Sequence, residues 1–329
     1  MRTLGCTAVA CLALCTACGH QMLLPGRENQ SAARYAHVES EAMDDLRVTA
    51  PLALRLCRIE AAYAYFHERS GVGAGPLAPL PRARLWSVYY ATAKAEHESI
   101  AWSELCEELD ATGVAVNRAA LSLRAYASAI DGVAEGRPLD ASGIQNASNG
   151  VNTVLGAVQA SSPVAAAARD VGSSLVGLAT PLVQGIEERK LHAVVARAHP
   201  GVHALVTNLL RYFEALEELL HNAEEQKKNT DAYVDKFRRG SDGALLADAD
   251  LVNAYELASD LEDDFIKIAV KLRRCRDVLA AIDAADDALA RDAAKDIDAT
   301  LKTLEAKTKA LESGTLPVLA DLPASGKDE

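Results

Sequence analysis

Apolar side chains recur along most of this chain every three or four positions, the spacing that gathers them on one face of an α-helix. Leu52, Leu56, Ile59, Tyr63 and Phe66 form the first stripe. Val116, Ala120, Leu123, Ala127, Ile130 and Ala134 form a second. Leu205, Leu209, Tyr212, Leu216, Leu219 and Ala223 keep a four–three heptad rhythm. The longest seam is Leu261, Phe265, Ile268, Leu272, Cys275, Leu279 and Ile282, and a shifted one follows at Ile297, Leu301, Leu304, Thr308 and Leu311. No segment alternates with the period of a strand. The pattern predicts an all-α protein: an elongated antiparallel helical bundle with a long C-terminal coiled-coil-like hairpin.

Helix-breaking residues divide the pattern. Pro51 suits the first turn of a helix. Gly71-Val72-Gly73-Ala74-Gly75-Pro76 through Pro81 reads as a loop. Without a strand before it, that run lacks the context of a phosphate-cradling turn. Arg82 to Glu135 reads as helix, with an interruption expected near Gly113, and Gly136-Arg137-Pro138 as a turn. Glu187 to Arg239 reads as helix with a break or kink at His199-Pro200-Gly201. Gly240-Ser241-Asp242-Gly243 turns the chain, so the arms on either side can pair antiparallel. The helical bundle is expected over residues 32–313, its hairpin over 187–313 and a disordered tail over 314–329.

Composition sharpens this picture. Half of the 329 residues are apolar but only 5% are aromatic, and much of the apolar content is alanine. Alanine favours helix and close helix packing while burying little area per residue. A net charge of −12 speaks against a nucleic-acid partner, which needs clustered Lys and Arg. The middle, 141–186, is charge-poor: Ala141 to Ala168 and Val171 to Ile186 carry no charge and flank Arg169 and Asp170. Its Ser, Gly and Asn content suits a buried hairpin of small residues. In layout alone the segment is similar to the bilayer-entering hairpins of α-helical pore-forming proteins, which would imply a membrane-active role.

The N-terminus has the order of an export signal. Met1-Arg2 is followed by a short apolar run from Leu4 to Thr16, then Thr16-Ala17-Cys18-Gly19. The run is too short to span a bilayer as a helix. Cys18 behind Thr16-Ala17 resembles the lipobox of bacterial lipoproteins cleaved by signal peptidase II, with Cys15 where leucine is usual and Leu14 beside it. Cys11, after Ala8-Val9-Ala10, is the second candidate. The resemblance implies a signal peptide over 1–17, a lipidated tether over 18–31, and a diacylglycerol on the Cys18 sulfur with an acylated new amino terminus. With Gly19 next, it also implies an outer-membrane, periplasm-facing location. Beyond that motif the chain resembles helical Gram-negative lipoproteins in general, which implies a place and a fold but no activity.

Candidate chemistry is sparse. Cys57, Cys106 and Cys275 follow the signal and read as buried helical cysteines, among which at most one disulfide can form. His192, His199 and His203, seven and four apart, could share a helix face as metal ligands, but Pro200 is expected to reset the axis between the closer pair. Glu-x-x-His occurs at Glu218 and His221 but not on a second helix, so the paired pattern of bundle-core iron sites is absent. Asp260, Glu262, Asp263 and Asp264, and again Asp283, Asp286 and Asp287, read as solvated acidic faces. No nucleophile elbow or Walker loop is present. The expectation is a non-catalytic, cofactor-free structural or interaction lipoprotein. Its partners would be the bilayer, through Cys18, and an envelope protein meeting a helical surface.

The seam carries its own test. Leu272→Asp would place an unpaired carboxylate between helices and should destabilise the fold by more than about 4 kcal/mol. A melting curve superimposable on wild type would mean the register is wrong.

Overall fold

A computed structural model describes residues 27–54, 56–57, 100–146, 162–184, 191–239, 249–291 and 294–313. Among them there is no strand. Six long helices carry the structure: α1 (Arg27–Arg47), α2 (Ile100–Ala134), α3 (Pro163–Gln184), α4 (Leu191–Arg239), α5 (Ala249–Ala290) and α6 (Ala294–Glu312). At 1.5 Å per residue, the 49 residues of α4 and the 42 of α5 extend about 74 and 63 Å.

Helices α1, α2, α4 and α5 form a four-helix square, each packed on two of the others. Cross-helix pairs fix their directions. Asn29 donates to the Ala134 carbonyl (3.1 Å) and Arg47 to Asn117 (2.8 Å), so α1 and α2 run antiparallel. His199 meets Asp286 and Arg276 meets Glu217, so α4 and α5 run antiparallel. Lys271 lies 3.8 Å from Asp45 while Asp286 faces Glu39, which makes α5 antiparallel to α1. Thr112 faces Tyr212 at 3.5 Å, and Tyr126 lies at the level of His199, which makes α2 antiparallel to α4.

The other two helices fill grooves of this square. α3 packs on α2 and α4. It starts with Ser162 as cap, whose hydroxyl accepts from the Ala165 amide (3.1 Å), and Pro163 in the first turn. It turns Val164, Ala168, Val171, Leu175 and Leu178 inward, so much of the second charge-free run lies in the core. Residues 147–161 and 185–186 of that segment lie outside the described residues. No helix among the described residues is long and apolar enough to cross a membrane. α6 packs on α1 and α5, closing the last of the described helices onto the first. Arg34 forms a forked ion pair with Glu305 there, and Lys307 pairs with Asp277 at 2.7 Å. The buried Lys271 ammonium donates to the Leu311 carbonyl (3.0 Å) and so satisfies the C-terminal end of α6.

The seams read from the sequence are the core. Phe265, Ile268, Leu272, Cys275, Leu279 and Ile282 are buried, as are Ile297, Leu301, Leu304, Thr308 and Leu311. Ile59, Tyr63 and Phe66, and the expected glycine-rich loop, lie outside the described residues. The turn after α2 holds: Gly136 (φ 82°) lets Arg137 N–H reach Gly132 and Gly136 N–H reach Val133, a paired-bond cap after which Pro138 follows. Cys57 is disulfide-bonded, whereas Cys275 is a buried free thiol.

Four expectations need correction. α1 starts at Arg27, inside the stretch read as tether, because Asn29 is held by the end of α2. α2 passes Gly113 unbroken because the glycine lets the Ala50 carbonyl approach: a Cβ there would lie 2.3 Å from that oxygen. α4 passes Pro200 without a break. Ala196 and Pro200 both lie on its exposed face, where water can serve the carbonyl left by the missing amide. Finally, the second arm of the hairpin is two helices: the shift of seam marks where α6 folds back along α5.

Gly201 supports α3 as Gly113 supports the turn before Pro51. A Cβ at Gly201 would lie 2.7 Å from the Leu178 Cα. Alanine normally gains about 1 kcal/mol over glycine inside a helix. Here Gly201→Ala should instead lose roughly 1–3 kcal/mol, because backbone cannot yield as a side chain can. A chemical-denaturation midpoint at or above wild type would show that α3 and α4 lie farther apart.

Candidate functional site

The candidate site is a layer of polar side chains inside the four-helix square. It draws Tyr35 and Glu39 from α1, Tyr126 from α2, His199 from α4 and Asp286 from α5. Elsewhere an open groove of about 510 Å³ runs beside Asp44, Arg47, Val48, Pro51, Val114 and Asn117, but it contains no buried titratable group.

Asp286 is the hub and is fully buried. Its position follows from spacing: it continues the four–three seam from Leu279 and Ile282 on to Leu289, so the helix carries it inward with them. The Tyr126 hydroxyl donates to Oδ1 at 2.7 Å. His199 Nδ1 lies 2.7 Å from Oδ2. Each carboxylate oxygen is thus met from a different helix. Glu39 occupies the same kind of seam position on α1, between Tyr35 and Ala42, and is also fully buried. Neither of its oxygens, nor the Tyr35 hydroxyl, has a partner of good hydrogen-bond geometry, although the two side chains lie close enough to perturb each other.

Burial explains the charge states. Desolvation, then repulsion from Asp286, holds the Glu39 carboxyl well above the usual carboxylate range. Desolvation raises Asp286 too, opposed by the hydrogen bonds from His199 and Tyr126. Both tyrosines are raised far above the usual phenol range, chiefly by burial, and stay protonated. Of the two carboxyls, Asp286 is the one met by donors from two other helices, and those bonds oppose the rise that burial imposes on both. The hydrogen bond to Asp286 raises His199 above the ordinary histidine value, and the charges of Asp286, Asp287 and Asp283 add to this.

His199 is the layer's contact with water, its side chain 25% exposed. Its Nε2 lies 3.7 Å from Asp287, which is itself paired with Arg291. One turn on, His203 Nδ1 sits between the two oxygens of Asp283, at 2.9 and 3.0 Å. The continuous helix thus brings His199 and His203 together, ring centres 6.1 Å apart, as their spacing suggested and as Pro200 was expected to prevent. It does not gather a metal centre: His192 is exposed, the other two face aspartates, and no three His, Cys, Asp or Glu side chains among the described residues converge as ligands.

The acidic trio therefore divides. Asp283 and Asp287 lie at the surface, but Asp286 does not, which corrects its reading as part of a solvated face. Position in the seam was the available signal for Asp286 and Glu39. Nothing local marked Tyr126, 160 residues from its partner. The polar neighbour of His199 Nε2 is the Asp287 carboxylate, at 3.7 Å. Cys18 lies outside the described residues.

Two substitutions separate hub from passenger. Asp286→Ala strands the Tyr126 hydroxyl and His199 and should cost roughly 2–4 kcal/mol. Glu39→Leu removes a carboxyl that has no donor and should leave stability within about 1 kcal/mol of wild type or raise it. Denaturant titration of both decides: equal losses would mean that Glu39 is as firmly bonded as Asp286.

No family model, curated protein or solved structure matches the chain.

Proposed function

We propose that this protein is an envelope lipoprotein that holds a rigid helical surface near the membrane and has no catalytic activity of its own. What carries this reading is the N-terminal order of charge, short apolar run and Thr16-Ala17-Cys18. Lipid on Cys18 would fix the chain to the outer membrane, facing the periplasm, through more acyl chain than stable anchoring needs. The disulfide at Cys57 supports an oxidising compartment. The bundle supports a scaffold role, since its polar centre is spent on joining helices and its long α4 and α5 give reach. An acidic surface favours a protein partner that presents basic groups, recognised through charge complementarity. α3 gives the membrane-active alternative no support: its apolar face is already used against α2 and α4.

The test is fractionation of the expressed full-length chain. Wild type should stay with membranes at high salt and yield a lipid-modified peptide beginning at Cys18. Cys18→Ala should lose that modification and its membrane attachment. The same digest, left unreduced, should yield a Cys57 peptide disulfide-linked to a second cysteine peptide. A wild-type protein that remains soluble, with residues upstream of position 18 still attached, would overturn the anchor.

A further inference from the structure

Helices α4 and α5 are joined by two polar clamps of different chemistry. Near the start of α4, His199 and His203 meet Asp286, Asp287 and Asp283. Farther along, Arg276 is forked between Glu217 (2.6 Å) and Glu214 (3.0 Å). Arginine–carboxylate pairs are the permanently charged kind, whereas a histidine such as His199 belongs to the one side-chain class whose charge ordinarily changes near neutrality. The apolar packing differs in the same direction. Around His199 the buried α4 side chains are Leu191, Val194, Val195, Ala198 and Val202, with Leu205 and Val206 following His203. Beside the arginine clamp they include Leu209, Tyr212, Phe213, Leu216 and Leu220. The smaller side chains bury less area, so the histidine end depends more on its polar contacts.

We propose that the His199–Asp286 contact is a proton-operated latch: loss of the His199 proton loosens the start of α4 from α5, while the Arg276 clamp holds the rest. Every neighbour of the ring bears on this. From α5 it faces Asp283, Asp286 and Asp287, the last held by Arg291. Through Asp286 it is joined to Tyr126 of α2 and lies near Tyr35 and Glu39 of α1. On its own helix the neighbour is His203, and the α3 backbone against Gly201 is Gly177 and Leu178, which carry no charge. Among the described residues, the proton on His199 is the positive charge that meets the buried Asp286 carboxyl. Without it, only the tyrosine hydroxyl and a neutral ring answer that carboxyl.

The direction follows from linkage. The folded His199 value is raised above the ordinary 6.5, so its contribution is complete below 6.5 and is lost as pH rises through the folded value. Raised values at Asp286 and Glu39 act in the same sense. Glu305, lowered first by its bond to Arg34, acts oppositely, its contribution disappearing in acid. The latch is therefore closed in mild acid and opens toward alkaline pH.

Hydrogen exchange on the full chain, corrected for the intrinsic effect of pH, tests this. Between about pH 6 and about pH 9, wild-type protection over residues 191–203 and 283–290 should fall at least about twofold, while 205–220 stays constant. His199→Gln should abolish the step, and His203→Gln, altering a more exposed pair, should keep it. Should His199→Gln fail to fold, proton NMR of wild type decides through the His199 ring, which must titrate above the ordinary histidine range. A pH-independent pattern, a loss spread evenly over the bundle, a step that survives His199→Gln or vanishes in His203→Gln, or an ordinary His199 titration would each overturn the latch.

Discussion

A carboxylate without water must be met by donors, and Asp286 imposes that condition where four helices come together. Its donors come from α2 and α4, its own helix is α5, and the buried carboxyl beside it belongs to α1. Sliding any one of these helices by a turn, about 5.4 Å, would leave the carboxylate facing apolar side chains. The layer therefore specifies register more than it adds stability. Buried polar groups set register in this way in the best-attested cases.

The need for such a device follows from composition. An alanine-rich interface packs closely but offers few large knobs to distinguish one register from the next. Gly113 and Gly201 push the closeness further, admitting the Ala50 carbonyl and the Leu178 backbone where a methyl group would collide. Close, smooth surfaces give contact without discrimination, and the polar layer supplies the discrimination. On α4 the large side chains, such as the edge-to-face pair Tyr212 and Phe213, lie farther along, beside the arginine clamp.

This division explains what could be read in advance. Side chains recurring every three or four residues gave the buried faces of α2, α4, α5 and α6, because that information is local, but not the inward faces of α1 and α3. The same spacing carries Asp286 and Glu39 inward, yet three aspartates close together look like a solvated patch when judged by composition, and Glu39 drew no notice. Only the position of each relative to Ile282 and Leu289 separates Asp286 from its neighbours. Pro200 misled in the opposite way, since a rule about backbone hydrogen bonds ignores that the freed carbonyl faces water. Tyr126 and Tyr35 as members of the layer could not be read at all. Their meeting with Asp286 and Glu39 depends on how separate helices pair, and no segment of sequence encodes that alone.

The layer also has a definite place along the bundle. α1 begins, α2 ends, α4 begins and α5 ends at one end, and Glu39, Tyr126, His199 and Asp286 all lie within about a dozen residues of those termini. Under the proposed anchoring this is the end nearest the membrane. Only residues 19–26 separate Cys18 from α1, a reach of at most about 30 Å. Anchor and latch are independent inferences, but the antiparallel order of the helices puts them at the same end of the molecule.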